Sequence, residues 1–327
     1  MRGAAPIGFA AMPLVHCSAR FRCLLSVILV LPILHRSGAT EYRRARLEVL
    51  RNISWWFDHL RIVDVLKSRP STKIAWVGDS TQRNQMQFLC DVLGSEYNTT
   101  LQGCNVILKG ASFQSSVLIA GQEYGGGSSG WKFWQVEDQL DDYFSAISPS
   151  WDLFYFASTF LHQMKRTATG VSKGTFTKPD HFNLSTMVIR HAVDAAKKRG
   201  ICPVFSTVNW ICDKAFTGDY QKEARSFRQT HGSMVNWTRS EMESETHRYH
   251  TLPFNSWGSD VAFVMELDAV SRLQHPLPVV DAYHITQHQC WATARSDGRH
   301  YIPLLPAKIA AFGDAVARCF GEMMIVD

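Results

Sequence analysis

The chain has 327 residues, 46% of them hydrophobic, enough to bury a full core as one large domain or two small ones. Its formal net charge of +5 is concentrated at the start: Arg2, Arg20, Arg22 and Arg36 precede Thr40, and no acidic residue does. The remainder is near neutral and carries no basic stripe, which speaks against a nucleic-acid partner.

Arg20 and Arg22 lead into the mostly apolar run Cys23 to Leu34, followed by His35-Arg36-Ser37-Gly38-Ala39. As a helix that run rises only about 18 Å, short of the roughly 30 Å hydrocarbon core of a bilayer. Small residues at Ser37 and Ala39 suit cleavage after Ala39, so residues 1–39 read as a signal peptide. A retained signal anchor is the rival reading, because Ala10 to Val15 is also apolar and positive charge flanks the run on its N-terminal side. Both readings put everything after about residue 40 outside the cytosol, with membrane contact only through that anchor.

Two further features agree with this compartment. Glycosylation sequons begin at Asn52, Asn98, Asn183 and Asn236, none with proline in the middle. Apart from Cys17 and Cys23, the cysteines are Cys90, Cys104, Cys202, Cys212, Cys290 and Cys319, an even set compatible with up to three disulfides. No pair has Cys-x-x-Cys spacing, so no metal site is expected.

Residues 40–70 read as a helical lead-in, with Leu47, Leu50, Trp55, Leu60, Val63 and Leu66 at helical spacing. The body, residues 71–327, then opens with a short apolar strand, Lys73 to Val77, a turn at Gly78, and a helix from Thr81 to Val92. β-rich pieces follow around 104–108 and 116–120, then a Gly/Ser patch at 125–130 and a helix reaching about Ile147. Trp151 to Phe156 reads as a strand buried on both faces, 184–199 as a helix stopped by Gly200, and Pro203 to Val208 as a second buried strand. The polar stretch near 239–250 reads as irregular. A helix over Val261 to Leu273, a short strand Leu277 to Val280 and a closing helix Pro306 to Phe320 complete the pattern. Such alternation predicts an α/β fold with a mostly parallel sheet and helices on both faces. Ser80, Ser158 and Asp281 each fall just past a strand end, on the edge where ligands bind such sheets.

Ser80, in Gly78-Asp79-Ser80, stands where a strand turns into a helix, among backbone N–H groups suited to hold an oxyanion. A serine needs a base to become a nucleophile; the rival reading is that Asp79 or Ser80 merely caps the helix. Asp-x-x-His is a compact way to supply an oriented imidazole, and it occurs twice, as Asp281-Ala-Tyr-His284 and Asp297-Gly-Arg-His300. The pattern is short enough to arise by chance. Asp297 lies in a Gly-containing loop before the last helix, whereas His284 follows directly on a strand, where a packed rim histidine is as good a reading.

The run Trp76-Val-Gly-Asp-Ser-Thr-Gln-Arg-Asn-Gln-Met-Gln-Phe-Leu-Cys90 closely resembles the first signature block of the trichome birefringence-like proteins, in the PC-esterase branch of the SGNH (GDSL-type) superfamily. Ser296-Asp-Gly-Arg-His-Tyr301 is similar to the C-terminal Asp-x-x-His block of non-plant members. The resemblance spans roughly residues 70–325. It implies an SGNH-like three-layer sandwich in which Ser80 is the nucleophile, His300 the base and Asp297 its orienting acid, with Asp281 and His284 as the alternative pair. It further implies O-acetylation of a glycan or polysaccharide acceptor in the Golgi lumen, at the Golgi membrane as a type II protein, or after secretion. No bound cofactor is implied; an acetyl donor such as acetyl-CoA would be the co-substrate. A carbohydrate or lipid esterase and a non-catalytic glycan-binding relative are the alternatives. In this resemblance Ser158 stands where the oxyanion-hole Asn is expected, beside the Ser80 backbone, and Phe160 where a Gly is expected. Gly125 to Gly127 is the candidate for the block that supplies an oxyanion-hole glycine. The plant Asp-Cys-x-His-Trp-Cys form is absent. Trp131, Trp134 and Trp210 are candidates for a glycan groove, against the commoner role of aromatics in a core.

Overall fold

A computed structural model describes residues 48–49, 61–69, 72–78, 80–94, 103–108, 111–119, 152–158, 180–216, 218–231, 237–249, 252–293 and 298–323. The chain divides into two units, 1–34 and 35–327, and every described residue belongs to the second. The apolar N-terminal run, the Gly/Ser patch and Trp131 and Trp134 lie outside the described residues. Among the described residues no helix is long and apolar enough to cross a membrane.

Six strands form one sheet: β1 (Lys73–Gly78), β2 (Gly103–Leu108), β3 (Ala111–Ile119), β4 (Leu153–Ala157), β5 (Cys202–Ser206) and β6 (Val279–Val280). Their order is β2-β3-β1-β4-β5-β6, and all neighbours run parallel except the β2–β3 hairpin. The fold is therefore α/β, as the alternating pattern predicts. The β-rich pieces around 104–108 and 116–120 are the two arms of that hairpin, which leaves β2 as an antiparallel edge.

The central strands are apolar because each is covered twice. Successive strand residues point to opposite faces. Ile74 and Trp76 of β1, Leu153 and Tyr155 of β4, and Cys202 and Val204 of β5 enter one core. Helices α1 (Arg61–Ser68) and α2 (Ser80–Val92) and the closing helix Leu305–Met323 pack there through Ile62, Phe88, Leu89, Phe312 and Val316. Ala75, Val77, Phe154, Phe156 and Phe205 enter the other core, with Val188, Ile189, Ala192 and Val193 of α3 (His181–Lys198). Trp76, Tyr155 and Phe312 interlock at the centre of the first core, with ring centroids 4.6 to 5.0 Å apart. Truncating Trp76 would cost about 3–5 kcal/mol.

Two helices depart from the sequence reading. Residues 218–231 form α4 (Gly218–His231), and the polar stretch near 239–250 is not irregular: it contains α5 (Arg239–Thr246). A capping box starts α5. Thr238 Oγ1 accepts from Glu241 N, and the Glu241 carboxylate takes the Thr238 N–H at 2.6 Å. The Thr238 N–H, and the Thr238 hydroxyl donating to the same carboxylate at 2.8 Å, hold the Glu241 carboxyl below its ordinary value. Helix α6 (Ser256–Ser271) starts earlier than its apolar run, because the Asn255 side chain caps it by accepting from Gly258 N at 2.9 Å. A short α7 (Ala282–Thr286) follows β6, and α8 (Leu305–Met323) closes the chain.

Cys202–Cys319 staples the start of β5 to α8, with Cα atoms 6.1 Å apart. Cys212–Cys290 joins the segment after β5 to a turn at Cys290–Ala292, with Cα atoms 5.4 Å apart. Cys90 is disulfide-bonded as well. Closing the 78-residue separation between Cys212 and Cys290 restrains the unfolded chain. A Cys212→Ala/Cys290→Ala variant should therefore lose about 2–5 kcal/mol in urea unfolding. An unchanged midpoint would show that the hydrogen bonds around this staple suffice without it.

Candidate active site

The parallel strands end at one edge of the sheet: Gly78, Ala157, Ser206 and Val280 are the last residues of β1, β4, β5 and β6. From β1 the chain passes first to one flank of the sheet (β3) and later to the other (β4). In open α/β sheets ligands bind beyond the carboxyl ends of the strands, beside such a reversal of strand order. Ser80 stands there as the first residue of α2.

Local sequence dictates this turn. A side chain at Gly78 would overlap Gln82, one turn into the helix, so only glycine lets α2 start so close to the strand. Gln82 and Gln85 are buried; Gln85 Nε2 donates to Gln82 Oε1 at 3.1 Å and Gln85 Oε1 accepts from the Tyr155 hydroxyl at 2.9 Å. Burial pushes the Tyr155 phenol well above its ordinary value, so it remains a donor. Helix α2 is thereby hydrogen-bonded to β4, and its N-terminus lies at the carboxyl edge.

Ser80 Oγ lies 2.7 Å from Nε2 of His300, 220 residues away. Arg299 Nη2 donates to the same oxygen at 3.2 Å. With Nε2 accepting the serine proton, His300 carries its own proton on Nδ1, on the far side of the ring. Asp297, the expected partner of that nitrogen, lies outside the described residues, as do Asp79, Phe160, Gly125 to Gly127 and Cys104's side chain.

The loop that carries Arg299 and His300 is clamped to the segment after β5. Gly298 has φ +70°, and a Cβ on it would sit 2.8 Å from a Phe216 ring carbon and 2.9 Å from the Cys212 carbonyl. Its own carbonyl accepts from Cys212 N at 2.8 Å. Asn209 Nδ2 donates to the Arg299 carbonyl at 3.2 Å, and the Tyr301 hydroxyl donates to the Trp210 carbonyl at 2.8 Å. Beneath them a fully buried Lys308, on α8, donates to Asn209 Oδ1 at 2.7 Å. Asn209 and Lys308 escape a reading of motifs. The signal for Lys308 is a lone cation within the apolar run Leu304 to Phe312.

Asp281 and His284 also form a pair, Oδ2 to Nδ1 at 2.6 Å, but an exposed one. Asp281 is the N-cap of α7 and accepts from His284 N at 3.1 Å. The His284 ring meets the edges of Phe263 and Tyr283. The imidazole that meets Ser80 is that of His300. Asp-x-x-His is thus also what an aspartate cap with a histidine in the first turn looks like.

Ser158 departs from the expectation of an oxyanion donor. It is fully buried, and its hydroxyl donates to Glu266 Oε1 at 2.9 Å. Glu266, itself fully buried on α6, accepts from Val208 N through Oε2 at 2.7 Å. The hydroxyl proton that an oxyanion would need is committed to the core between the ends of β4 and β5.

Trp210 is half-buried. Its Nε1 donates to Asp260 at 3.1 Å, and the Tyr283 hydroxyl donates to the same carboxylate oxygen at 2.7 Å. Burial raises the Asp260 carboxyl to about 6, against the pull of those donors, with Asp213 adding repulsion and His288 opposing it. Of the sequon asparagines, Asn183 lies on the surface in the first turn of α3, its amide donating to Asp180 at 2.6 Å. Asn52, Asn98 and Asn236 lie outside the described residues. Among the described residues no group of three His, Cys, Asp or Glu side chains is arranged to hold a metal. No protein-family model matches the chain, and no curated protein does.

Two measurements follow from these environments. Ser158→Ala should cost about 1–3 kcal/mol in urea unfolding, because it strips a donor from buried Glu266; an unchanged midpoint would show that the Ser158–Glu266 bond is not part of the core. Asp260 binds its proton more tightly in the folded state, so its favourable contribution is full below its ordinary 3.8 and is lost as pH rises through about 6. The urea midpoint of Asp260→Asn should accordingly vary less than that of the parent across this window; equal slopes would refute the assignment.

Proposed function

We propose that this chain is a serine-dependent acyltransferase of SGNH-like architecture that O-acetylates a glycan or polysaccharide in the secretory pathway. The observation that carries the reading is the 2.7 Å approach of Ser80 Oγ to His300 Nε2. A serine at the turn from the first strand to a helix, an imidazole within hydrogen-bond reach and a helix N-terminus beside them are the parts that acyl transfer through a serine requires. The parallel sheet with a serine after its first strand and a histidine loop before its last helix supports the SGNH-like reading. The disulfides support an oxidising compartment.

In the mechanism Ser80 Oγ attacks the carbonyl carbon of an acetyl donor while its proton passes to His300 Nε2. The carbonyl π pair moves onto oxygen, then returns as the donor's leaving group departs with the proton held by His300. Acetyl-Ser80 remains. A sugar hydroxyl then gives its proton to His300 and attacks the acetyl carbon; collapse of the second tetrahedral intermediate returns the proton to Ser80 Oγ. Asp297 would hold the Nδ1–H side of His300 during both steps. Water in place of the sugar would make the same site an esterase.

The reading is tested by intact-mass detection of acetyl-Ser80 after mixing with an activated acetyl ester, with and without a panel of glycans. The adduct should form, vanish in Ser80→Ala, and decay faster with an acceptor glycan than in buffer. His300→Ala should slow acylation by roughly 10⁴-fold, as loss of a triad member does, and His284→Ala by far less. Absence of the adduct in the parent protein would sink the proposal, and decay indifferent to every glycan would leave hydrolysis as the reaction.

A further inference from the structure

Resting on the reading of Ser80 as an acylated nucleophile, the geometry points to Arg299 as a catalytic residue: we propose that its guanidinium stabilises the oxyanion formed on the acyl group. It thereby supplies a side-chain donor, which Ser158 does not. Four observations converge on this assignment.

The first is position. Arg299 Nη2 already donates to Ser80 Oγ at 3.2 Å, and in the tetrahedral intermediate the oxyanion is bonded to the same carbon as that Oγ. A guanidinium offers several N–H groups in one rigid plane, so one can stay on Oγ while another meets the new O⁻. The second is compatibility with the base. Arginine cannot accept a proton from serine, and it stays charged at any working pH. It therefore leaves Oγ–H to His300 and contributes only positive charge, which favours both the alkoxide character of the attacking Oγ and the oxyanion that follows.

The third observation is preorganisation. The Arg299 carbonyl is held by Asn209, which is held in turn by buried Lys308. The guanidinium carbon lies 5.3 Å over the Phe254 ring, itself packed against Phe216. The Gly298 carbonyl, accepting from Cys212 N, and the Tyr301 hydroxyl, donating to the Trp210 carbonyl, hold the loop on either side. A donor held in this way needs no rearrangement when charge develops, which is what makes such groups effective. The fourth is the orientation of Ser158. Its hydroxyl bonds Glu266 in the core, and so the carboxyl end of β4 sends no hydroxyl donor from that residue towards Ser80.

A guanidinium beside a nucleophile has a second use, the recognition of an anionic ligand in the ground state. The two roles separate in kinetics, because an oxyanion donor acts on kcat and a ground-state contact on KM. Pre-steady-state acylation with a neutral activated acetyl ester should be measured for the parent protein, Arg299→Gln and Arg299→Lys. Thermal melting serves as the check that each variant is folded. Arg299→Gln should slow the acylation step by about 10²–10³-fold at nearly constant affinity for the ester, and Arg299→Lys should recover part of the loss. Added guanidinium salt at millimolar concentration should partly rescue a folded Arg299→Ala. Folded Arg299 variants that acylate at the parental rate, or that change only the ester's affinity, would overturn the assignment while leaving acyl-Ser80 chemistry in place. A parent protein that forms no adduct would overturn both.

Discussion

The attachment of the loop 298–301 to the segment that follows β5 governs what the rest of the molecule can do at its carboxyl edge. Cys212 N, Asn209 and the Trp210 carbonyl hold that loop at Gly298, Arg299 and Tyr301, and the disulfide Cys212–Cys290 ties the holding segment to the turn at 290. Each bond contributes only about 1 kcal/mol net. Together they over-determine the position of an imidazole that sequence separates from its serine by 220 residues. Buried Lys308 would be costly alone, since an unpaired cation in the core is strongly disfavoured; its bond to Asn209 shows what the burial serves.

A second polar tie works beneath the first. Glu266 reaches from α6 to Ser158 at the end of β4 and to Val208 after β5, so one carboxylate fixes the spacing of two parallel strands where the sheet stops. Parallel strands have no hairpin to hold their ends together. Side chains must do it, and here they do so at the carboxyl edge.

The β1–turn–α2 unit was legible because its constraints are local: an apolar strand buried twice, then Gly78 and the spacing to Gln82. The sheet pattern was legible for the same reason, strand by strand. Helix α5 was not, because its charge density resembles a loop; the Thr238-x-x-Glu241 capping box was the available signal. The strand end at Ser158 is legible, but the direction of its hydroxyl is not, because it depends on Glu266, 108 residues further on. Nor could spacing separate the two Asp-x-x-His runs, since one of them is a helix cap. In the other, Arg299 occupies one of the spacer positions. What a spacer faces is decided by the clamp on its backbone, and that clamp is made of distant residues.

The long reach between Ser80 and His300 has a consequence for biosynthesis. Translation delivers β1 and α2 early, whereas His300, Arg299 and both halves of the C-terminal packing emerge last. Ser80 therefore lacks its contact with His300 throughout most of synthesis, however well the first strands have formed. Cys290 and Cys319 are also late, so neither native pair with Cys212 or Cys202 can close before the final segment has been made. Closure of both staples and the meeting of Ser80 with His300 thus all wait for the C-terminal segment, and a chain released short of it has neither.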